Sequence, residues 1–515
     1  MTSWLDRETG TIVKKWKGRL PVALLYPNTY PLAVSNLGLQ LVYHLLGGLD
    51  YVVCERFVYP EEPGPLRSLE SCRPLVDFPV VLGSISFEHD YPRLIRMLLA
   101  GGLEPLAARR TGEVGPGSPL VVLGGVGVFM NPEPLAPFAD LIVLGEAEPV
   151  LGPLIEIVDQ ALAAATPRRK MLENISSTLG GCYVPEFYDF EYGEDGRVRR
   201  IRAEAGREER VTRVIHPDTG IAAHSRLLSP DAELGMYMVE LGRGCSRSCR
   251  FCAAGFIYRP PRLWSGEAIQ ESLEERPASV NRVGLLGMEM ADPEVLDRIT
   301  AYLHDEGCSL SFSSLRADRI NDQLLALLAE SQLKSVAIAP DGCSERLRRV
   351  INKNLTEEDL LSAAVALVGA GIVHLKLYVM IGLPTETRAD LDEMISLVHR
   401  MHREILPLGR RRGRVTELTL SVNSFVPKPW TPFQYLPYGG LENDEASLDR
   451  TCSRAVSALK KKIKYLRAGL AGLANLRIKV DRPERVLQQA VFSRGIVGWP
   501  RFCWIWPQVK RSSGP

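Results

Sequence analysis

The chain has 515 residues, 45% of them apolar and 24% charged, the balance of a globular protein long enough for two or three domains. That composition excludes a disordered chain, a collagen-like chain and a disulfide scaffold. The net charge of +1 gives no global sign of nucleic-acid or anionic-membrane binding, yet residues 401–515 hold 21 basic against 8 acidic side chains. Such a run reads either as a solvated basic face or as a surface for an anionic partner.

No uninterrupted apolar stretch of about 18 residues occurs, so no membrane span is predicted. The opening MTSWLDRETGTIVKKWKGR lacks an apolar core followed by a small-residue cleavage site, and the expected location is the cytoplasm. Ten cysteines are too sparse for a disulfide framework, and thiols stay reduced in that compartment.

In chain order, LPVALLY (20–26), YVVCERFVY (51–59), PVVLGSISF (79–87), PLVVLGGVG (119–127) and ADLIVLGEAE (139–148) read as strands. NLGLQLVYHLLGGL (36–49) and YPRLIRMLLAGG (91–102) read as helices. Continuous apolar strands alternating with helices predict a parallel sheet covered on both faces, a Rossmann-like domain over 1–165. Residues 166–235 hold two β-rich runs about Gly193–Gly196, which reads as a linker with its own hairpin. A second alternation starts near 236. Its strands are MYMVEL (236–241), VGLL (283–286), LSFSS (310–314), SVAIA (335–339), HLKLYVMI (374–381) and ELTLSVNSF (417–425). Six strands with crossover helices predict a partial barrel over 236–435, with the site at the strand C-termini. The rest, 436–515, reads as a basic helical extension.

LGRGCSRSCRFCAAG puts Cys245, Cys249 and Cys252 directly after the first strand of that barrel, spaced C-x3-C-x2-C. Three thiolates so close can wrap one metal centre, but are one short of a closed zinc site or an ordinary ferredoxin cubane. A 4Fe–4S cluster held by three cysteines keeps one iron open to a small molecule. Gly242 and Gly244 let the backbone bend around it. A zinc knuckle borrowing a distant ligand, or plain reduced thiols, are the bland alternatives.

The C-S-R-S-C-R-F-C string resembles the signature of the radical S-adenosylmethionine (radical SAM) superfamily, over about residues 236–435. The resemblance implies a 4Fe–4S cluster on Cys245, Cys249 and Cys252 whose open iron takes the amino and carboxylate groups of S-adenosylmethionine. It implies cleavage to methionine and a 5′-deoxyadenosyl radical that abstracts hydrogen. A reducing donor such as flavodoxin or ferredoxin would supply the electron. Phe251 would pack near the adenine, or simply cover the cluster. LLGMEM (285–290) resembles the Gly-Gly-Glu that ends the family's second strand, implying contacts to the methionyl group from Gly287, Met288 and Glu289. In SSLRAD (313–318), Ser314 and Arg316 offer a hydroxyl and a cation for the ribose or carboxylate, with a surface ion pair as the other reading of Arg316. YVMIGLPTET (378–387) resembles the strand-five motif along the adenine, with Gly382 and Pro384 shaping its turn and Glu386 as a cap for the next helix.

GFIYRPPR, APDGCSERLRRVINKNLTEEDL (339–360) and FVPKPWTPFQ (425–434) are similar to a subgroup with an N-terminal cobalamin-binding-like domain. Pro340–Asp341 falls where relatives have Pro–Glu, and FVPKPWTPFQ with Lys428 reads as a rigid Pro-rich loop. GSIS (83–86), LGGVG (123–127) and LGEAE (144–148) resemble that domain's landmarks, and the resemblance leaves cobalamin open as a second cofactor. His44, in V-Y-H-L-L-G, reads as a helix residue rather than a cobalt ligand.

The reading is a radical SAM enzyme acting on an unidentified substrate by hydrogen abstraction, with cobalamin-dependent methyl transfer left open. A methylthiotransferase acting on tRNA or protein is one alternative, and a zinc-containing nucleic-acid-binding protein another. Against the former, only Cys54, Cys72 and Cys182 precede the cluster loop, and they are widely spaced.

Overall fold

A computed structural model describes residues 4–62, 64–110, 112–194, 198–287, 293–312, 314–331, 333–440 and 448–495. It divides into two compact units, one built on the residues up to Asp218 with Ala223–Gly235, the other on Thr219–Ala222 with Met236–Ser493. No helix among the described residues is long and apolar enough to cross a membrane.

The first unit is a six-stranded sheet of β1 (Leu20–Tyr26), β2 (Val52–Val58), β3 (Val80–Ser84), β4 (Leu120–Gly124), β5 (Leu141–Val143) and β6 (Cys182–Tyr183). The order is β2-β1-β3-β4-β5-β6, parallel except for β6, so a switch point lies between β1 and β3. The helices are α1 (Tyr30–Val34), α2 (Leu37–Gly47), α3 (Asp90–Ala100), α4 (Val126–Met130), α5 (Leu151–Ala163) and α6 (Arg168–Thr178). Helix α2 starts at Asn36, whose side chain accepts the Leu39 N–H at 2.8 Å, and it carries His44 as the sequence predicts. The strand predicted over 119–127 stops at Gly124 because the chain turns into α4, and the one over 139–148 shrinks to three residues.

Strand β2 is buried at every position although it contains Glu55 and Arg56. Arg56 lies between Glu8 at 2.5 Å and Glu70 at 2.7 Å, and Glu55 accepts from Trp16 and Ser71, both at 2.6 Å. Arg56 is thus paired with carboxylates, and Glu55 is satisfied by two neutral donors, as burial requires. Beyond residue 165, α6 and β6 continue the sheet, followed by an antiparallel hairpin of β7 (Tyr188–Tyr192) and β8 (Val198–Ala203). Of its predicted turn, Asp195 and Gly196 lie outside the described residues.

The second unit begins with β9 (Tyr237–Glu240) and a short antiparallel pair, β10 (Gly242–Arg243) with β11 (Arg262–Leu263), around α7 (Ala254–Ile257). Then come α8 (Gly266–Glu274), β12 (Arg282–Leu286), α9 (Pro293–Asp305), β13 (Ser309–Phe312), α10 (Asp322–Glu330) and β14 (Ser335–Gly342). The remainder is α11 (Glu345–Val350), α12 (Glu357–Gly369), β15 (His374–Ile381), α13 (Arg388–Arg411), β16 (Glu417–Ser424), α14 (Leu448–Gly469), β17 (Leu476–Val480) and α15 (Pro483–Arg494).

Strands β9, β12 and β13 form one parallel sheet and β14 to β17 another. A parallel bridge from Leu315 to Ile338 joins them into an open run of seven strands. The partial barrel therefore has a strand more than the six predicted. LRIKV (476–480) fell inside the stretch read as helical; it is five residues long, and its exposed Arg477 and Lys479 alternate with half-buried neighbours as an edge strand requires. The core of this unit lies between β14–β16 and helices α12 and α13.

Candidate functional site: a three-cysteine loop at the strand C-termini

Because these strands are parallel, the loops after their C-terminal ends open on one rim. On that rim lie the cysteine loop after β9 and β10, Gly287 after β12, Ser314 and Arg316 after β13, and Gly382 and Pro384 after β15. Met288 and Glu289 lie outside the described residues, as does the tail 497–515. A groove of about 360 Å³ beside His304, Cys308 and Glu330 opens at the other, N-terminal end of β13 and belongs to no part of this rim.

The cysteine loop is closed by the β10–β11 pairing. Gly244 makes the turn: its φ is +94°, and a Cβ there would stand 2.4 Å from the Tyr258 carbonyl oxygen. Cys252 N–H donates to Cys249 C=O at 3.1 Å, folding the two onto one turn. Arg259 donates to Gly255 C=O at 2.6 Å and to Ser248 Oγ at 2.7 Å, stiffening the loop from within. Cys245, Cys249 and Cys252 are all half-buried and free of disulfides. No three His, Cys, Asp or Glu side chains among the described residues converge on the space of a single metal ion. An iron–sulfur cubane is wider than an ion, since each cysteine takes a different iron.

Two cations stand beside these thiols, each held by a carboxylate. Arg316 donates to Asp318 at 2.8 and 2.9 Å and to the Lys353 carbonyl at 3.0 Å; Lys353 pairs with Asp341. Burial pushes the Cys249 thiol up, while Lys353 and Arg316 oppose that rise. Burial works against the Arg316 charge too, but Asp318 and the Cys249 and Cys245 sulfurs outweigh it. Arg316 is thus in an ion pair, the second of its two readings, and lies within electrostatic reach of the Cys249 and Cys245 sulfurs. Soft thiols with compensating cations suit an anionic iron–sulfur cluster, and the donor set fits one.

Other expected residues divide. Phe251 is half-buried and packs against the core of the unit. Ser314 is exposed. Gly382 follows β15 and Pro384 is half-buried, but Glu386 does not cap α13. The cap is Thr387, whose N–H is accepted by Asp390 at 2.7 Å. Glu386 instead accepts the Gly382 N–H and holds the turn closed. The Pro-rich stretch is a loop, as expected, and Phe433 N–H reaches back to the Arg250 carbonyl at 3.3 Å. The sequence reading assigned no role to residues 350–353, which touch the cysteine loop; two asparagines in INKN were the available signal, since asparagine tolerates left-handed backbone.

Residues 38–185 match the family described as radical SAM proteins, N-terminal, and residues 239–398 match the radical SAM superfamily. The chain belongs to the radical SAM superfamily. It is similar to an uncharacterized protein of Methanocaldococcus jannaschii, 29% identical over 481 residues, covering 92% of this chain and 88% of that one. It is also similar to the anaerobic magnesium-protoporphyrin IX monomethyl ester cyclase of Rubrivivax gelatinosus, 26% identical over 286 residues, covering 53% of this chain and 48% of the cyclase. Among solved structures, the apo cobalamin-dependent S-adenosylmethionine radical enzyme OxsB aligns with a TM-score of 0.45 at 15% identity, covering 74% of this chain and 51% of OxsB. The radical SAM chain described here therefore spans about half the length of the cyclase and of OxsB.

In the first unit, the glycines that resemble a cobalamin domain's landmarks are used by the chain itself. Gly125 has φ +99°, and a Cβ there would stand 2.5 Å from the Ile85 carbonyl oxygen; Gly127 N–H donates to that oxygen at 2.9 Å. The two loops pack on each other, so the fold itself requires glycine at 125. His44 lies on α2 and His89 directly precedes α3, stacked on Phe87. These residues do not fit a cobalt ligand set.

Proposed function

We propose that this radical SAM chain is an iron–sulfur enzyme in which Cys245, Cys249 and Cys252 hold a 4Fe–4S cluster with one iron left for S-adenosylmethionine. The observation that carries this reading is the set of three half-buried thiols on one glycine-turned loop, faced by the carboxylate-held Arg316 and Lys353. When bound, such a cluster supplies the single electron that splits S-adenosylmethionine into methionine and a 5′-deoxyadenosyl radical, which takes a hydrogen atom from the substrate. Arg316 and Ser314 would meet the carboxylate and ribose, Gly287 with Met288 and Glu289 the methionyl group, and Gly382 with Pro384 the adenine edge. A small reducing protein of the flavodoxin or ferredoxin kind would deliver the electron. The likeness to an anaerobic cyclase favours carbon chemistry carried out without oxygen.

A methylthiotransferase would need a second cluster in the first unit. Cys54 on β2 and Cys182 on β6 sit on opposite edges of the six-stranded sheet, roughly 24 Å apart at about 4.8 Å per strand, too far to share one. The zinc-containing nucleic-acid-binding reading needs four ligands drawn onto one ion, and no group of three or more is so placed among the described residues.

The test is anaerobic incubation of the reconstituted protein with S-adenosylmethionine and dithionite. Methionine and 5′-deoxyadenosine should appear in equal amounts. S-adenosylhomocysteine beside them would add methyl transfer to the reading. Absence of 5′-deoxyadenosine from a protein loaded with iron and sulfide would overturn it.

A further inference from the structure

Helix α11 ends at Val350, and the next residues present four successive carbonyls to the site. Val350 C=O accepts from Arg250 Nη1 at 2.7 Å and Ile351 C=O from Arg250 N–H at 3.0 Å. Asn352 C=O faces Cys249 Sγ at 3.9 Å, and Lys353 C=O accepts from Arg316 at 3.0 Å. The Asn352 side chain adds a fifth contact, its Nδ2 donating to Ser248 C=O at 3.0 Å. The four carbonyls are those of the helix end and of the turn beyond it, which no intrahelical N–H takes up. Left-handed backbone at Asn352 (φ 57°) and Asn354 (φ 54°), a conformation asparagine adopts more readily than other side chains, carries the chain out of the helix beside the cysteine loop. The segment is anchored behind by Arg348, fully buried, whose carbonyl accepts both Lys353 N–H at 2.8 Å and Asn354 N–H at 3.2 Å.

We propose that residues 350–353 form a cradle that presets Ser248–Arg250 for cluster binding, with Asn352 as its positioning residue. The inference rests on the cysteines being cluster ligands, but the cradle itself is a property of the cluster-free protein. A short loop carrying three thiols would otherwise sample many shapes, and each would have to be frozen out when iron binds. Fixing the middle cysteine through its backbone neighbours removes that cost beforehand. Partners of this outer kind are what orient metal ligands elsewhere.

The test compares wild type with Asn352→Gly, which keeps the left-handed backbone and removes the amide. Asn475→Gly, at a left-handed asparagine before β17, controls for the generic cost of the substitution. In cluster-free protein, iodoacetamide labelling of Cys249 relative to Cys252, read by peptide mass, should rise about fivefold in Asn352→Gly, the opening expected from one lost hydrogen bond. After reconstitution, iron loss to a chelator should be about 10- to 100-fold faster. Unchanged Cys249 labelling overturns the cradle. Faster labelling with wild-type iron retention overturns its service to the cluster. A wild type that takes up no iron and sulfide fails the cysteine reading instead, and the labelling result still decides the cradle.

Discussion

Lys462 on α14 lies 2.6 Å from Glu386, whose side chain is fully buried beneath the turn that follows β15. The same carboxylate accepts the Gly382 N–H at 3.0 and 3.1 Å, so one acid ties the turn to a helix some 80 residues away. Removing Lys462 alone strands a buried carboxylate, whereas removing both charges leaves no buried ion. Lys462→Met should therefore cost about 2–4 kcal/mol, and Glu386→Gln with Lys462→Met clearly less than the sum of the singles. Urea midpoints of the four proteins of this cycle check it. Additive losses would mean the pair contributes nothing.

Glu133, after α4, titrates far from its ordinary range. Burial pushes it up to about 7, and the Tyr183 hydroxyl, donating at 3.2 Å, offsets only part of that. The folded state then binds more protons than the unfolded chain between pH 4.5 and 7, so stability falls as pH rises through that window. Glu133→Gln should flatten this fall and be more stable than wild type at pH 8 by about 1–3 kcal/mol, and no better at pH 4. Melting temperatures at pH 4, 6 and 8 decide it; parallel curves for the two proteins would refute the assignment.

Gly125→Ala forces a side chain into left-handed backbone and against Ile85, and should cost about 2–4 kcal/mol. Gly124 has open space at its Cβ position, and Gly124→Ala should stay within about 1 kcal/mol of wild type. Chemical denaturation separates the two. Corrinoid binding to this sheet edge is accordingly tested at Gly124, by equilibrium dialysis with hydroxocobalamin, since loss at Gly125 would follow from the fold alone.

Much of this was legible because period and spacing are local. Strand 20–26 was delimited to the residue by a continuous apolar run and strand 374–381 by apolar residues at every second position, and C-x3-C-x2-C marked the site without any three-dimensional information. What escaped depended on distant partners. Glu55 and Arg56 look wrong for a buried strand until Glu8, Trp16, Glu70 and Ser71 are brought to them. Glu386 sits where an acid favours a helix start, yet it turns to the Gly382 N–H and to Lys462 on α14, a partner far along the chain. Strand 476–480 hid because its five residues, two of them basic, lie between two helices and take their register from β16 alone.

Metal and sulfide analysis of protein purified without oxygen tests directly whether Cys245, Cys249 and Cys252 hold an iron–sulfur cluster. Wild type should carry about four irons and four sulfides per chain. Cys245→Ala, Cys249→Ala and Cys252→Ala should each lose them, whereas Cys308→Ala, Cys343→Ala and Cys452→Ala should keep them. Zinc without sulfide in the wild type, or a Cys249→Ala protein that still holds the full complement of iron and sulfide, would overturn the cluster assignment.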